Sequence, residues 1–188
     1  LNIEPNIHIL DCTDLEVNFK NSNYEMSGIS HSKRDNKLTR GYKLATLRGI
    51  VKDVGLIEDI RFGSIQSHDL NLSEEMVRTS PVLKPGDILI NDRGFMSREL
   101  MNFLKVERNV DTYIPLRKNM VAYQQAILSA KEQNIWKPHP NFKRKNQVIS
   151  LVEGMGMYWD SDTPENDVPI NTCVVWDKQF DNYFVFIT

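Results

Sequence analysis

Two acidic residues stand out by where they sit in apolar runs. Asp11 lies within Ile7-His8-Ile9-Leu10-Asp11-Cys12-Thr13, and Asp92 directly follows Ile88-Leu89-Ile90-Asn91. Short apolar runs bounded by polar sequence read as buried strands, and in open α/β sheets ligands gather beyond the carboxyl ends of such strands. If the two strands are neighbours, the carboxylates converge and repel unless a cation lies between them. Oxygen-only ligands suit Mg²⁺ or Mn²⁺, which keep waters and take further ligands from substrate phosphates. Two such ions about 3.5–4 Å apart activate a water or hydroxyl and stabilise the leaving oxygen of a phosphodiester. The competing reading is that both acids merely end or cap strands.

The elements that must position these acids follow from periodicity. Asn18 to Arg40 is polar, aperiodic and long, the pattern of a loop. Residues 42–51 and 56–65 are strand-like, separated by the turn signal Lys52-Asp53-Val54-Gly55. From Asp69, the residues Leu70, Leu72, Met76 and Val77 share a helical face, with Asp69 or Ser73 as N-cap and Pro81 as the stop. Pro85-Gly86-Asp87 is a turn. A second helix begins near Ser97 with the stripe Leu100, Met101, Phe103, Leu104 and Val106, and 111–116 is the next strand.

The order β-β-β-α-β-α-β predicts an α/β fold: a meander, then alternating units that favour parallel strands. Past Arg117 the pattern changes. A helix over 121–131 leads to a basic, aromatic loop over 134–146. Strand-like runs follow at 147–152, 170–176 and 183–187, interrupted by the acidic segment 160–167. This predicts an antiparallel β insertion near the C-terminus. The expected division is a core over 1–118 with both acids, an insertion over 119–182 and a last strand over 183–188.

The 188 residues are 40% hydrophobic and 26% charged, which suits a globular chain with a real core. Lys and Arg total 23 against 25 acids, a net charge of −2, which excludes a polyanion binder working through a global positive field. Cys12 and Cys173 are too few for a disulfide framework or a tetrahedral zinc site, and suit a reducing compartment. No apolar run approaches the roughly 18 residues that span a bilayer, and the start has no signal-peptide pattern. The expectation is a cytoplasmic protein without membrane contact. Lacking an initiator Met, the chain is expected to be a fragment.

Local basic patches remain. Lys33, Arg34, Lys37, Arg40 and Lys43 stand against one acid, Asp35. Lys137, Lys143, Arg144 and Lys145 lie beside Trp136 and Phe142. Basic side chains neutralise phosphates, and interleaved aromatics stack on unpaired bases. Arg93, next to Asp92, could meet a scissile phosphate. Each lysine alone is equally a solvated surface charge. His8 alternates into a strand and reads as structural, while His31 and His139 lack spaced partners for zinc. Gly154-Met155-Gly156 lacks the strand-loop-helix context of a nucleotide loop.

Four segments in order carry a resemblance: Ile9-Leu10-Asp11-Cys12-Thr13-Asp14-Leu15, Gly41-Tyr42-Lys43-Leu44, Ser67-His68-Asp69, and Ile88-Leu89-Ile90-Asn91-Asp92-Arg93-Gly94-Phe95. Together they resemble the catalytic domain of insertion-sequence DDE transposases, in the group with a β insertion between the second and third acids. The resemblance spans about 7–188. It implies an RNase H-like fold that uses Mg²⁺ (or Mn²⁺) to cleave and join DNA at transposon ends. Asp11 and Asp92 would be the first two catalytic, metal-binding acids. Asp14 competes for the first role but falls beyond the expected strand.

The family's third acid is a Glu in a Tyr-Arg-Glu-Lys-like signature, which does not occur here. Glu99 is too early, and Glu153 and Glu165 lie in the insertion. The third acid is therefore expected beyond Thr188, leaving this fragment inactive alone. The resemblance also implies transposon-end and target DNA as partners, a homodimer, and a bacterial, nucleoid-associated setting. The DNA-contacting candidates, from local charge and aromatics, are Lys33, Arg34, Arg40, Lys43, Arg93, Trp136, Lys143, Arg144 and Lys145. The rival readings are a non-catalytic DNA-binding or assembly module descended from a transposase, and an RNase H-like nuclease.

Overall fold

The structure is a computed structural model and describes residues 6–20, 23–32, 36–51, 54–155 and 169–188. The chain divides into two compact units, Leu1–Asp111 and Thr112–Thr188.

In the first unit, β1 (Ile7–Val17) is flanked by β3 (Lys37–Val51) and β5 (Ile88–Asn91). The β1–β3 pair is antiparallel from Ile7↔Ile50 to Val17↔Arg40. The outer edge of β3 carries β2 (Gly28–Ser32) and then β4 (Val54–Ser64), both antiparallel. The chain returns from β4 through α1 (Asp69–Thr79) to lay β5 parallel to β1, a connection that a tight hairpin cannot make.

Two expectations are corrected here. The first strand runs to Val17 rather than Thr13, and the polar stretch 18–40 contains β2 and the start of β3. Ser30, His31 and Thr39 have little apolar pattern, but the ladder from Gly28↔Gly41 to Ser32↔Lys37 supplies their backbone partners. Strand formation depends on such neighbours more than on intrinsic preference. Lys52 and Asp53 of the expected turn lie outside the described residues, and Gly55 belongs to β4.

One face of this sheet is covered. Leu10, Ala45, Leu47 and Leu89 pack with Leu72, Met76 and Val77 of α1 and with Leu100 and Leu104 further along. The cap of α1 is His68, whose ring Nδ1 accepts the Leu70 N–H at 3.2 Å, rather than Asp69 or Ser73. Ser73 is instead buried inside the helix, 3.3 Å from the Cys12 thiol. At the other end, Arg108 donates to the carbonyls of Arg78, Ser80 and Leu83 at 2.8–3.2 Å, satisfying acceptors that a helix end leaves open.

The second helix is short. It is α-helical over α2 (Arg98–Asn102) and then widens into a π turn over Phe103–Glu107, marked by Arg108 N–H donating to Phe103 O. The wider turn rotates the following side chains, so Val106 leaves the expected apolar stripe and is 67% exposed. Leu15, Ile60, Phe62 and Ile90 are exposed on the sheet face opposite the helices.

The second unit has the antiparallel order β6 (Asp111–Pro115), β10 (Asn182–Ile187), β9 (Ile170–Asp177), β8 (Gln147–Met155) and β7 (Lys137–Pro138). Its helix α3 (Val121–Gln133) buries Ala122, Tyr123, Ala126, Ile127 and Ala130 and ends on Asn134 in the left-handed region. The Tyr123 hydroxyl donates to Tyr183 O at 2.6 Å. The expected loop over 134–146 includes β7 and a 3₁₀ turn over Phe142–Arg144. The acidic segment 160–167 lies outside the described residues. Among the described helices, none is long and apolar enough to cross a membrane.

At Gly41 the backbone of β1 lies close: a Cβ there would meet Leu15 O at 2.2 Å. Backbone cannot yield as a flexible side chain can. Gly41→Ala is expected to destabilise the protein by about 1–3 kcal/mol, read as a lower urea midpoint with unchanged slope.

Candidate active site

The parallel pair β1–β5 matches Ile7↔Ile88, His8↔Leu89, Ile9↔Ile90 and Leu10↔Asn91. One step further along both chains stand Asp11 and Asp92. Leu10 faces the helix-covered core, so strand alternation turns Asp11 to the opposite face. Asp92 stands at the strand exit in extended backbone and caps the 3₁₀ turn Arg93–Phe95. Both acids are exposed.

Their remaining interactions are sparse. Asp11 Oδ1 accepts the Cys12 N–H at 2.8 Å, and Asp92 Oδ1 accepts the Arg93 N–H at 2.7 Å. Among the described residues neither acid has a salt bridge, so each keeps an uncommitted oxygen. That donor set fits a hard divalent cation. No group of three His, Cys, Asp or Glu side chains among the described residues converges to hold a metal. Two carboxylates would therefore need water, phosphate or other oxygens to complete the coordination.

Asp14 has a different fate. The strand does include it, so strand length does not separate it from Asp11; its partners do. Lys43 Nζ lies 3.0 Å from Asp14 Oδ1 and 2.5 Å from Asp69 Oδ1, with only 14% of the lysine side chain exposed. Burial would lower the Lys43 pKa, but hydrogen bonds to Asp69 and Asp14, with their charges, hold it above the ordinary lysine value. Asp14 and Asp69 thus share a cation, while Asp11 and Asp92 do not.

Burial raises the Cys12 thiol above its ordinary pKa, with Asp69 and Asp11 adding to the rise against the Ser73 hydrogen bond and Lys43. It is poorly suited as a nucleophile. Asn91, one residue before Asp92, is 3% exposed, and neither amide atom has a hydrogen-bond partner among the described residues. Buried polar groups are nearly always paired, which singles out Asn91. Sequence reading missed it because its only signal is the position beside Asp92.

The basic candidates are scattered. Lys33 and Arg34 lie outside the described residues. Arg40 donates to Ser27 Oγ at 3.3 Å and lies over the Phe19 ring. Lys43 is tied up as described, and Arg93 is exposed beside Asp92. In the second unit Lys143, Arg144 and Lys145 are exposed, with Arg144 donating to Gln147 Oε1 at 3.3 Å. Trp136 packs on Trp176 at 5.6 Å between ring centroids, and Trp176 stacks on Tyr183 at 5.8 Å. Lys178 sits over Trp176 and Lys131 over Tyr183. Phe142, beside the basic turn, is 78% exposed.

The model of the transposase DDE domain matches residues 4–168. The chain belongs to that family. No curated protein sequence matches it significantly. Among solved structures, the piggyBac transposase synaptic complex with hairpin DNA is similar over 96% of this chain, with a TM-score of 0.50 and 13% identity. At that identity the likeness speaks for the fold alone, and it agrees with the expected RNase H-like α/β architecture. The chain spans 32% of that transposase's length.

The Lys43 tie has a pH signature. Its pKa is raised on folding, so its stabilisation is full below the unfolded value near 10.5 and is lost as pH rises through the higher folded value. The stability gap between the wild type and Lys43→Met, from urea titrations across alkaline pH, is expected to stay constant to about pH 10 and then shrink.

Proposed function

We propose that this DDE domain is the catalytic domain of a DNA transposase, in which Asp11 and Asp92 hold Mg²⁺ or Mn²⁺ for strand cleavage and strand transfer at transposon ends. The observation that carries the reading is the placement of two uncommitted carboxylates one step beyond the paired ends of β1 and β5, in a chain of this family. DDE transposases generally use divalent metal ions. When bound, such ions supply Lewis-acid activation of the attacking oxygen and charge stabilisation at the leaving oxygen.

The chain's own residues have simpler tasks. Asp11 and Asp92 each present a carboxylate of which one oxygen is held by the N–H of the following residue. Lys43 neutralises Asp14 and Asp69, keeping nearby acids from competing for the cation. Arg93, exposed beside Asp92, would contact the phosphate next to the site. Lys143, Arg144 and Lys145, with Phe142 exposed beside them, would hold the DNA backbone. DNA ends, target DNA and a second copy of the protein are the proposed partners.

Asp92→Asn in the full-length protein is expected to reduce strand cleavage by about a thousandfold or more while leaving DNA affinity within about twofold. A wild-type protein that binds DNA yet never cuts it with Mg²⁺ or Mn²⁺ would instead support the non-catalytic assembly module. Cleavage of any DNA without joining would support a nuclease. For the basic turn, alanine at Lys143, Arg144 and Lys145 should lower the slope of log affinity against log salt by about 0.9 for each phosphate left without its cationic partner. An unchanged slope removes that turn from the DNA interface.

A further inference from the structure

The strands carrying Asp11 and Asp92 are tied at their opposite ends by a buried polar network. Asp87, immediately before β5 and 3% exposed, accepts the His8 ring Nε2–H at 3.0 Å, the Asn6 side-chain amide at 3.1 Å and backbone N–H groups of Lys84 at 2.9 Å and Asn6 at 3.3 Å. His8, on β1 and 2% exposed, places its other ring nitrogen 2.8 Å from Glu58 Oε2 on β4. Glu58 reaches over β3 because position 49 is glycine: a Cβ there would meet the Glu58 carboxylate at 2.4–2.5 Å. The tie therefore crosses β4, β3, β1 and the entry to β5.

We infer that His8 and Asp87 are positioning residues that set the register of β1 against β5 and so place Asp11 beside Asp92. The inference rests on the metal-dependent reading of that acid pair.

The register needs such a device. The β1–β5 pair has four residue pairs, and apart from His8 and Asn91 every member is Ile or Leu. A slip of two residues preserves which side chains face the core, so apolar pattern alone discriminates weakly against it. The same slip moves one acid past the other by about 6.6 Å at 3.3 Å per residue. Oxygens bound to one cation at about 2.1 Å lie no more than about 4.2 Å apart, so a slipped pair could share an ion only by reorienting both side chains.

The network penalises the slip directly, because Asp87 would lose its Asn6 and His8 donors and His8 would lose the buried Asp87 carboxylate. Burial alone would raise the Asp87 pKa, yet the Lys84 N–H, His8 and Asn6 hold it below the ordinary carboxylate value. His8 lies three residues before Asp11, about 10 Å along the strand, so its influence passes through register rather than contact.

A cleft of about 240 Å³, lined by His8, Glu58, Pro81 and Lys84 among others, gives small molecules a way to this histidine. The test measures Mn²⁺ affinity of the full-length protein by the electron paramagnetic resonance of free Mn²⁺, alongside its melting temperature. His8→Ala is expected to weaken Mn²⁺ binding tenfold or more, with imidazole restoring at least half of the loss. Gly49→Ala, which blocks the Glu58 arm, should weaken it less, by about threefold. If His8→Ala does not fold, His8→Gln, which keeps one donor toward Asp87, is read in its place.

A His8 variant that melts lower but binds Mn²⁺ as the wild type does would overturn the inference, making the network ordinary packing. Asp92→Asn is the control. If it weakens Mn²⁺ binding and the His8 variants do not, only the register role falls. If Asp92→Asn binds Mn²⁺ like the wild type, the metal reading of the acid pair fails and the inference fails with it.

Discussion

The parallel pairing of β1 with β5 is the interaction on which the candidate site depends. It is short, and it joins segments about eighty residues apart in the chain. Everything between them, including the β3–β4 hairpin, α1 and the turn at Gly86, returns β5 to the free edge of β1. Closing so long a loop costs chain entropy before any native pairing offsets it. The offset comes from Leu10 and Leu89 entering one core with Leu72, Met76 and Val77. The long antiparallel β1–β3 ladder provides the platform on which that core is built.

Electrostatics then separate acids that look alike in sequence. Asp14 and Asp69 are drawn to Lys43 on the helix-covered side of the sheet. Asp11, one face away, and Asp92, at the strand exit, keep oxygens that no cationic side chain of the described residues neutralises. The outcome is that Asp11 and Asp14, three residues apart on β1, have different fates. Asp14 and Asp69 meet Lys43, and Asp11 and Asp92 have no salt bridge among the described residues. Strand alternation produces this division, since residues of one parity meet α1 and those of the other do not.

The second unit is built on different terms. Its strands are antiparallel, and its helix buries three alanines with Tyr123 and Ile127. Much of its aromatic content is consumed internally: Trp176 and Tyr183 are cross-strand neighbours that stack, and Trp136 leans on them. The exposed basic turn and Phe142 lie outside that stack.

The apolar strands, both long helices and the two acids within and after apolar runs were legible from the order of residues, because burial imposes periods of 2 and 3.6 on any sequence that folds. So was family membership, through motifs such as Asp92-Arg93-Gly94-Phe95. The strand β2, the extension of β1 to Val17, the capping by His68 and the π turn that exposes Val106 were not legible, since each is settled by a partner distant in sequence or by local backbone geometry. The order of residues thus determined which acids were available and which strands could carry them. Only the tertiary structure decided that Asp11 and Asp92 follow paired positions of adjacent strands while Asp14 is held by Lys43, because register and ion pairing are properties of two segments at once.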